Sequence, residues 1–109
     1  MPTLDEFLDL DVRIGTVRSA RPHRDARNPA LQLQIDFGEI GVKQSSAQIT
    51  KRYQYDQLVG RQVVAVVNFP PRRVAGYRSD VLVLGAVLPG NDVVLLIPDA
   101  NVPDGARIG

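Results

Sequence analysis

The densest group of chemically active side chains in this chain is a set of three arginines that follows an apolar stretch. Arg72, Arg73 and Arg78 come directly after Pro70 and Pro71, and no acidic residue separates them. Guanidinium groups offer forked donors to carboxylates, phosphates and backbone carbonyls. The two prolines restrict the conformations open to the segment. We therefore predict a loop that binds an anionic or acceptor-rich partner.

Two further candidates lie at the end of the apolar stretch, immediately before this loop. Asn68 carries a primary amide after a row of valines, where it needs hydrogen-bond partners. It either holds the following loop or faces a ligand. Phe69 is either part of the core or, together with Tyr53 or Tyr77, a surface on which an apolar side chain or an unstacked base could lie.

Polar residues in an earlier predicted strand form another candidate surface. Strand alternation puts Lys43 and Ser45 on one face and Ser46 and Gln48 on the other, so without a bulge only one pair lines a groove. Serine hydroxyls there could donate to, and accept from, the backbone of a ligand. The alternative is that the serines face solvent or satisfy buried backbone groups.

The net charge of +1 conceals an uneven distribution along the chain. Residues 1–11 hold four acids and no base, residues 12–79 hold twelve Lys or Arg against four acids, and residues 80–109 hold four acids and one arginine. If the ends fold to a different face from the centre, the surface is polarised. The alternative is that these are ordinary solvated charges.

The composition argues against catalysis and against a bound cofactor. One histidine and no cysteine leave no Cys-His pair and no ligand set for zinc, and there is no glycine-rich phosphate loop. We predict a protein that is not an enzyme and that has no cofactor or metal.

The lack of cysteine suits a reducing compartment, and no apolar run reaches the roughly 20 residues of a membrane helix. We expect a cytoplasmic protein without membrane insertion, formed by one domain over residues 1–109.

Short strands dominate the predicted secondary structure. Thr3–Leu8 is expected to be a helix with Thr3 as N-cap and Glu6 as its capping-box partner. Leu31–Phe37 alternates with period two and gives the clearest signal of a half-buried strand. Gly15 is expected to mark a bulge or a tight bend in the first strand. The other expected elements are strands within Val12–Val17, Val42–Ile49, Val63–Phe69, Val81–Leu88 and Val93–Ile97, a polar loop over Ser19–Pro29, and a short helix or helical turn within Ile49–Gly60.

This order of elements predicts an all-β fold, a five-stranded Greek-key barrel of the OB type with a short helix between strands 3 and 4. An SH3-like barrel is the nearest alternative. The N-terminal helix and a C-terminal extension lie outside such a barrel, and we expect them to be used for dimerisation. The loop after the first strand borders the same face of an OB barrel, so Arg21, Arg24 and Arg27 form a second cationic loop there. His23 in this loop is expected to be solvated.

Long collinear segments of the chain resemble the tRNA-binding domain family, an OB-fold module. The shared features are the tyrosine-containing segment after the third strand, GRQVVAVVN at Gly60–Asn68, and a basic loop that ends in Gly76, Ser79 and an apolar strand. Three segments are closer to the branch of the family that acts in protein export, namely KQSSAQIT at Lys43–Thr50, NFPPRRVAG at Asn68–Gly76 and the terminal VLLIPDANVPDGARIG. The similarity covers nearly the whole chain.

The resemblance implies a homodimeric chaperone that binds unfolded preproteins or peptide segments, with export machinery as a further partner. A tRNA-binding module is the alternative function, and a dimeric scaffold without a general client is a third. Asp80 beside the cationic loop repels phosphate, and Ser45 and Ser46 depart from the usual pattern of tRNA binders, so peptide is favoured over nucleic acid. The expected residues of the peptide- or tRNA-binding site are Lys43, Ser45, Ser46, Gln48, Asn68, Phe69, Arg72, Arg73, Tyr77, Arg78 and Ser79.

Overall fold

Five antiparallel strands form a nearly closed barrel in the computed structural model, which describes residues 1–109. They lie in the order β3-β2-β1-β4-β7, and four shorter strands form two separate hairpins, β5–β6 and β8–β9. The strands are β1 (Val12–Pro22), β2 (Leu31–Asp36), β3 (Val42–Ala47), β4 (Gln62–Val66), β5 (Arg72–Val74), β6 (Tyr77–Ser79), β7 (Leu82–Val83), β8 (Gly85–Leu88) and β9 (Asp92–Leu95).

The two ends of the five-stranded sheet are joined by the residues that precede β7. The amide of Asp80 donates to the carbonyl oxygen of Gln44 at 2.8 Å, and the hydroxyl of Ser45 donates to the carbonyl oxygen of Val81 at 2.9 Å. Because Asp80 and Val81 lead directly into β7, these bonds tie β3 to the far end of the sheet. The predicted five-stranded barrel of the OB type is confirmed.

Apolar side chains at alternating strand positions fill the barrel. Leu33 and Ile35 of β2 are almost completely buried, and Phe37 follows them on the same face. A second, smaller cluster lies outside the barrel, where Val12 and Ile14 meet Val64 and Val66. The main core consists of Val17, Leu31, Leu33, Ile35, Phe37, Ala47, Ile49, Leu58, Val63, Ala65, Val81 and Leu95.

Strand β1 is longer than predicted and is irregular at a different place. Its last residues, which were expected to be loop, pair with β2, and the register shifts between Val17 and Ser19. Gly15 instead pairs in regular register with β4, so the predicted bulge at this glycine is wrong. A Cβ atom at Gly15 would lie 2.7 Å from side-chain atoms of both Ile35 and Phe37. The close approach of β2 therefore explains the glycine.

Other predicted segments differ in their local structure or in their bounds. The arginine-containing segment was expected to be a loop, but it folds as the hairpin β5–β6. Of the two forms expected within Ile49–Gly60, a short helix or a helical turn, the structure has the turn, a single 3₁₀ turn at Tyr55–Gln57. The predicted strand Val81–Leu88 is divided at Leu84 into β7, which pairs with β4, and β8, which pairs with β9. The third strand ends at Ala47 and leaves Gln48 outside the ladder.

The N-terminal helix α1, Leu4–Leu8, begins as predicted. The amide of Glu6 donates to the Thr3 hydroxyl at 3.2 Å, and the Glu6 carboxylate accepts from the Thr3 amide at 3.0 Å. The apolar side chains of the helix remain exposed, with Leu4 at 71% and Phe7 at 42% of their full accessibility. No part of the chain covers this face. No helix of the structure has the length and apolar character that a membrane crossing requires.

The C-terminal segment after β9 runs along β1. Ile14 exchanges two backbone hydrogen bonds with it, accepting from Gly105 at 2.7 Å and donating to Ala106 at 2.9 Å. Ion pairs in the same region join the acidic ends to the basic centre, since Arg18 contacts Asp104 at 3.3 Å. The condition for a polarised surface, that the acidic ends fold to a different face from the basic centre, is therefore not met by this pair.

Candidate functional site

The main candidate site is a groove of about 650 Å³ between β3, the β5–β6 hairpin and the β7–β8 segment. Its volume lies within the range of roughly 300–1,000 Å³ that small-ligand sites occupy. Ten of its 18 lining residues are hydrophobic. The groove therefore presents an apolar wall with a small number of polar groups. The predicted site residues that line it are Ser45, Ser46, Gln48, Phe69, Arg72 and Ser79.

The β5–β6 hairpin decides which arginines face the groove. Residues directly opposite each other in an antiparallel pair share a face. Arg72 pairs with Ser79, and both line the groove. Arg73 pairs with Arg78, and neither lines it. The pleat therefore separates the three arginines that the sequence placed in one binding loop.

The tight turn of this hairpin fixes which residues of β5 and β6 face the groove. Ala75 and Gly76 join β5 to β6, with φ values of 47° and 81°. Two successive residues with positive φ are typical of a type I′ turn, which matches the twist of the strands on either side. The short turn fixes the register and with it the face on which each arginine lies.

The three arginines also differ in their partners. Arg78 donates from Nε to the Asp80 carboxylate at 2.7 Å. Arg73 donates to the carbonyl oxygen of Gly76 at 3.2 Å, within its own hairpin. The Arg72 side chain has no hydrogen bond and no ion pair within the chain, and it is exposed. It is therefore the one unneutralised arginine of this set in the groove.

The polar residues of β3 lie at one end of the groove. The predicted alternation holds, since the Ser45 hydroxyl bonds to Val81 while the Ser46 hydroxyl lies 2.9 Å from Nδ1 of His23, but both serines line the cavity and Lys43 does not. His23 was expected to be solvated, but it is only 4% exposed. Ser45 is buried, and its hydroxyl is used in the bond to Val81. The Ser46 amide donates to the Ser79 hydroxyl at 3.1 Å. Beyond this point the edge of β3 has no neighbouring strand, so both serines border the groove.

Gln48 adds open main-chain groups at the same edge. It is exposed, and neither its amide nor its carbonyl makes a hydrogen bond within the chain. An unpaired edge of this kind is a template on which an extended segment can form backbone hydrogen bonds. The groove thus combines apolar side-chain contacts with backbone donors and acceptors.

The predicted site residue Asn68 uses both polar atoms of its side chain in hydrogen bonds within the chain. The Asn68 amide nitrogen donates to the carbonyl oxygen of Asp9 at 2.8 Å, and its oxygen accepts from the Asp11 amide at 2.9 Å. Neither predicted role of Asn68, in the loop or at the ligand, matches these bonds. Asn68 instead holds the segment between α1 and β1.

Tyr77 also lies outside the groove. It is half-buried, and its hydroxyl donates to the carbonyl oxygen of Leu33 at 3.2 Å. Burial raises the pKa of the Tyr77 phenol. The expectation of an exposed Tyr77 that forms a platform with Phe69 is wrong, because Tyr77 is half-buried and its hydroxyl is bound to the main chain of β2. Phe69 does line the groove and is 43% exposed.

Most of the apolar groove lining was absent from the sequence-based site. Val74 of the hairpin, Leu82 and Val83 of β7, and Val87 of β8 all contribute to it. In the sequence these residues belong to apolar runs that also describe a core strand. One sequence signal could have identified the residues of β7 and β8. Val81–Leu88 contains more apolar residues than one short strand can bury, so some of them had to be exposed.

Comparisons with known proteins agree with this architecture. Residues 12–107 match a sequence profile described as "Putative tRNA binding domain". The chain belongs to the tRNA-binding domain family. It is similar over its full length to the structure of the chaperone CsaA from Bacillus anthracis str. Ames, with 59% identity, a TM-score of 0.96 and 99% of that chain covered. The CsaA chaperone protein from Picrophilus torridus is 44% identical, with a TM-score of 0.92 and full coverage of both chains. Within its family the chain is therefore CsaA chaperone-like.

A second group of relatives is much longer than this chain. The methionine–tRNA ligase of Methanothrix thermoacetophila is 42% identical over 104 residues, which are 95% of this chain but 15% of the ligase. The ligase of Methanococcoides burtonii is 34% identical over 106 residues and is covered to the same 15%. The chain thus spans about one seventh of these ligases, and the similarity is limited to that part.

Proposed function

We propose that this protein is a chaperone that binds extended, partly apolar segments of unfolded preproteins in the groove between β3 and the β5–β6 hairpin. The observation that carries the proposal is the makeup of the groove. It is mainly apolar, it has one unpaired arginine, Arg72, and the main chain of Gln48 is open at its edge. Unfolded segments offer apolar side chains and unpaired backbone groups, and this groove can take both.

The similarity to CsaA chaperones supports the same function. Both similar CsaA structures are named as chaperones and match the whole chain, so the groove-forming hairpins lie within the matched region. Binding of preproteins, a role in export and contact with export machinery are the finer parts of the proposal. The expectation that the chain is not an enzyme also stays a prediction.

A homodimer is part of the proposal. Apolar side chains remain exposed on α1 and on the segment after the β8–β9 hairpin, including Leu4 at 71% and Ile97 at 66% accessibility. Patches of this kind commonly mark protein–protein contacts. A second copy of the chain would cover them and would present two grooves to one long client, which raises avidity without any new contact.

Binding of tRNA is the second candidate, favoured by the family match to residues 12–107. The two functions differ in their response to salt. Contacts with phosphates release counterions, so the logarithm of tRNA affinity should fall steeply with the logarithm of salt concentration. Binding of a peptide through apolar contacts should change much less over the same range.

One titration tests both candidates. We expect a library of unfolded peptides to bind at micromolar concentration with weak dependence on salt between about 50 and 200 mM, and tRNA to bind more weakly as salt rises. Tight tRNA binding without peptide binding would favour the nucleic-acid function. If neither ligand bound at micromolar concentration, the chaperone and tRNA proposals would both be wrong.

A matched pair of variants tests the position of the peptide site. Arg72→Ala removes the arginine in the groove, and Arg73→Ala removes its neighbour on the opposite face of the hairpin. We expect Arg72→Ala to weaken the binding of acidic peptides roughly tenfold, the effect of one charge-assisted hydrogen bond, and Arg73→Ala to have little effect. Equal losses in the two variants would place the ligand outside the groove.

A further inference from the structure

Strand β8 has one edge that pairs with β9 and one edge that pairs with no other strand of the chain. Gly85 and Val87 of this strand line the groove, and Val87 is 74% exposed. The strand therefore borders the groove while one of its edges is free. We call this the free edge of β8.

The pairing of β8 with β9 shows which main-chain groups of β8 are already used. In an antiparallel pair, hydrogen-bonded residue pairs alternate with pairs whose N–H and C=O groups point outwards. The amide of Leu96 donates to the carbonyl oxygen of Leu84 at 3.2 Å, immediately before β8. Ala86 and Leu88 follow Leu84 at steps of two, so they are the residues of β8 that bond to β9.

The main-chain groups of Gly85 and Val87 are left without partners. These residues occupy the alternate positions of β8, so their N–H and C=O groups point away from β9. Neither makes a hydrogen bond to any other part of the chain. Leu95, opposite Gly85, agrees with this geometry, because its amide points out of the hairpin on the other side and donates to the Tyr53 hydroxyl at 3.1 Å.

The two outer edges of the β8–β9 hairpin differ in their cover. The β9 edge is covered by the segment after β3, through the Tyr53 hydroxyl at Leu95 and the ion pair of Arg52 with Asp92. The β8 strand has the sequence GAVL, with no charged side chain and no proline. Edge strands of natural proteins are usually protected by charges, prolines or a covering segment. An unprotected edge beside a groove is suited to accept a further strand.

The side chains of the groove indicate what such a strand would carry. Val87 and Val93 are opposite each other in the hairpin and both line the groove, so they form an apolar surface beside the free edge. Arg72 is a cation without a partner, whereas the Asp80 carboxylate in the same lining is bound to Arg78. The groove therefore complements a mainly apolar segment that has an acidic residue.

From these features we infer that the client segment adds to the free edge of β8 as a third strand. The segment is a mainly apolar, β-forming stretch, rich in valine, isoleucine or threonine, with one acidic residue for Arg72. Its main-chain groups pair with those of Gly85 and Val87, and every second side chain contacts the apolar lining. This inference rests on the proposed chaperone function, and it adds the strand that holds the client and the kind of client selected.

A series of modified peptides tests the main-chain pairing. The probe is a seven-residue peptide in which valine and threonine alternate after one glutamate, and each modified form carries an N-methyl group on one backbone amide. We expect affinity to fall about tenfold or more at alternate residues, whose amides face β8, and to change little at the residues between them.

The outcomes separate this inference from the proposed function. A probe that binds without such alternation, or that does not bind although other unfolded peptides do, would overturn the inference alone. If no unfolded peptide bound, the proposed function would fail as well.

Hydrogen exchange of the natural protein locates the added strand. The Ala86 amide should be protected with or without the probe because it bonds to β9, whereas the Val87 amide should exchange at least about tenfold more slowly in the complex. An unchanged Val87 amide would place the client elsewhere. Protection of Val87 without the probe, lost on dilution, would show instead that a second copy of the chain occupies this edge.

A matched pair of variants removes the free donor of β8. Val87→Pro lacks the amide N–H, and because this N–H points away from β9, the hairpin can keep its own hydrogen bonds. Val87→Thr keeps both the amide and the β-branched shape. We expect Val87→Pro, with the Ala86 amide still protected, to bind the probe at least about tenfold less tightly than Val87→Thr. Equal affinities would contradict the inference, and the N-methyl series decides if Ala86 loses its protection.

Discussion

The three arginines of the β5–β6 hairpin differ in their hydrogen-bond and ion-pair partners. The sequence places Arg72, Arg73 and Arg78 together, but Arg78 is neutralised by Asp80 and Arg73 is bound to its own hairpin. Only Arg72 brings free charge to the groove. The peptide specificity of the groove should therefore depend on one arginine rather than on a cluster.

Tyr77 gives a prediction at the same scale. Tyr77→Phe removes the hydrogen bond to the Leu33 carbonyl and should lower the free energy of unfolding by about 1 kcal/mol. Tyr55→Phe is the control, because Tyr55 is exposed and its hydroxyl makes no hydrogen bond. Urea denaturation measures both. A Tyr77→Phe variant as stable as the control would mean that this bond contributes nothing.

The raised pKa of Tyr77 adds a dependence on pH. Burial keeps the phenol protonated in the folded state at a pH where the unfolded chain has begun to lose this proton. Ionisation therefore stabilises the unfolded state first, and stability should fall as the pH rises above about 10. Tyr77→Phe should show a smaller fall between pH 9 and pH 11 in the same urea experiment.

At the scale of elements, the attachment of α1 depends on Asn68. Asn68→Ala removes both bonds to the segment between α1 and β1, so the amides of Leu10 and Asp11 should exchange with deuterium faster, while those of β2 stay protected. Asn101→Ala, at an exposed asparagine without hydrogen bonds, is the control. Unchanged exchange at Asp11 would show that α1 is held by other contacts.

The β8–β9 hairpin is attached through an ion pair between Asp92 and Arg52. Two hydrogen bonds, of 2.7 and 3.0 Å, join them, and the bond from Arg52 holds the pKa of the Asp92 carboxyl below its usual range. A depressed carboxyl pKa stabilises the fold above about pH 4, and this contribution is lost as the pH falls through the folded value. Arg52→Gln should thus be less stable than the natural protein at pH 7.

The same pair of proteins should become closer in stability as the pH is lowered from 7 to well below 4, because Asp92 then takes up its proton. Midpoints of urea denaturation at the two pH values measure the difference. Lys51→Gln, which changes a neighbouring cation without an ion pair, should show a much smaller effect of pH. An Arg52→Gln variant with the same deficit at both pH values would contradict the assignment.

The sequence predicted the elements whose signals are local. The capping box of α1 and the alternation of β2 each depend on residues within about six positions, and both are present as expected. The β5–β6 hairpin was missed because its strands have three residues each and its turn, Ala75-Gly76, lacks the asparagine or aspartate that marks such turns.

Which polar residues are free to bind a ligand depends on contacts between residues far apart in the sequence, and no local sequence pattern describes these contacts. The Ser45 and Ser46 bonds to Val81 and Ser79 join residues more than 30 positions apart. The same is true of Asn68 and Asp9, which are 59 positions apart. Sequence reasoning could therefore name polar residues near the groove, but it could not tell which of them were already paired.

At the scale of the whole molecule, exposed apolar surface is the feature to explain. We expect the protein to sediment as a dimer at micromolar concentration and Ile97→Asp to sediment as a monomer, because a carboxylate would be buried without a partner in the interface. Val59→Asp, at another exposed apolar residue, should remain a dimer. A natural protein that sediments as a monomer would remove the dimer from the proposed function.

The pleat of the β5–β6 hairpin has a consequence for how this protein can change over generations. Residues that line the groove and residues that set the charge of the outer surface alternate along the same three-residue strands. A substitution at Arg73 alters the outer charge, and one at Val74 alters the shape of the groove, with little effect of either on the other. The shape of the groove and the charge of the outer surface can therefore be selected independently, although they are encoded by adjacent codons.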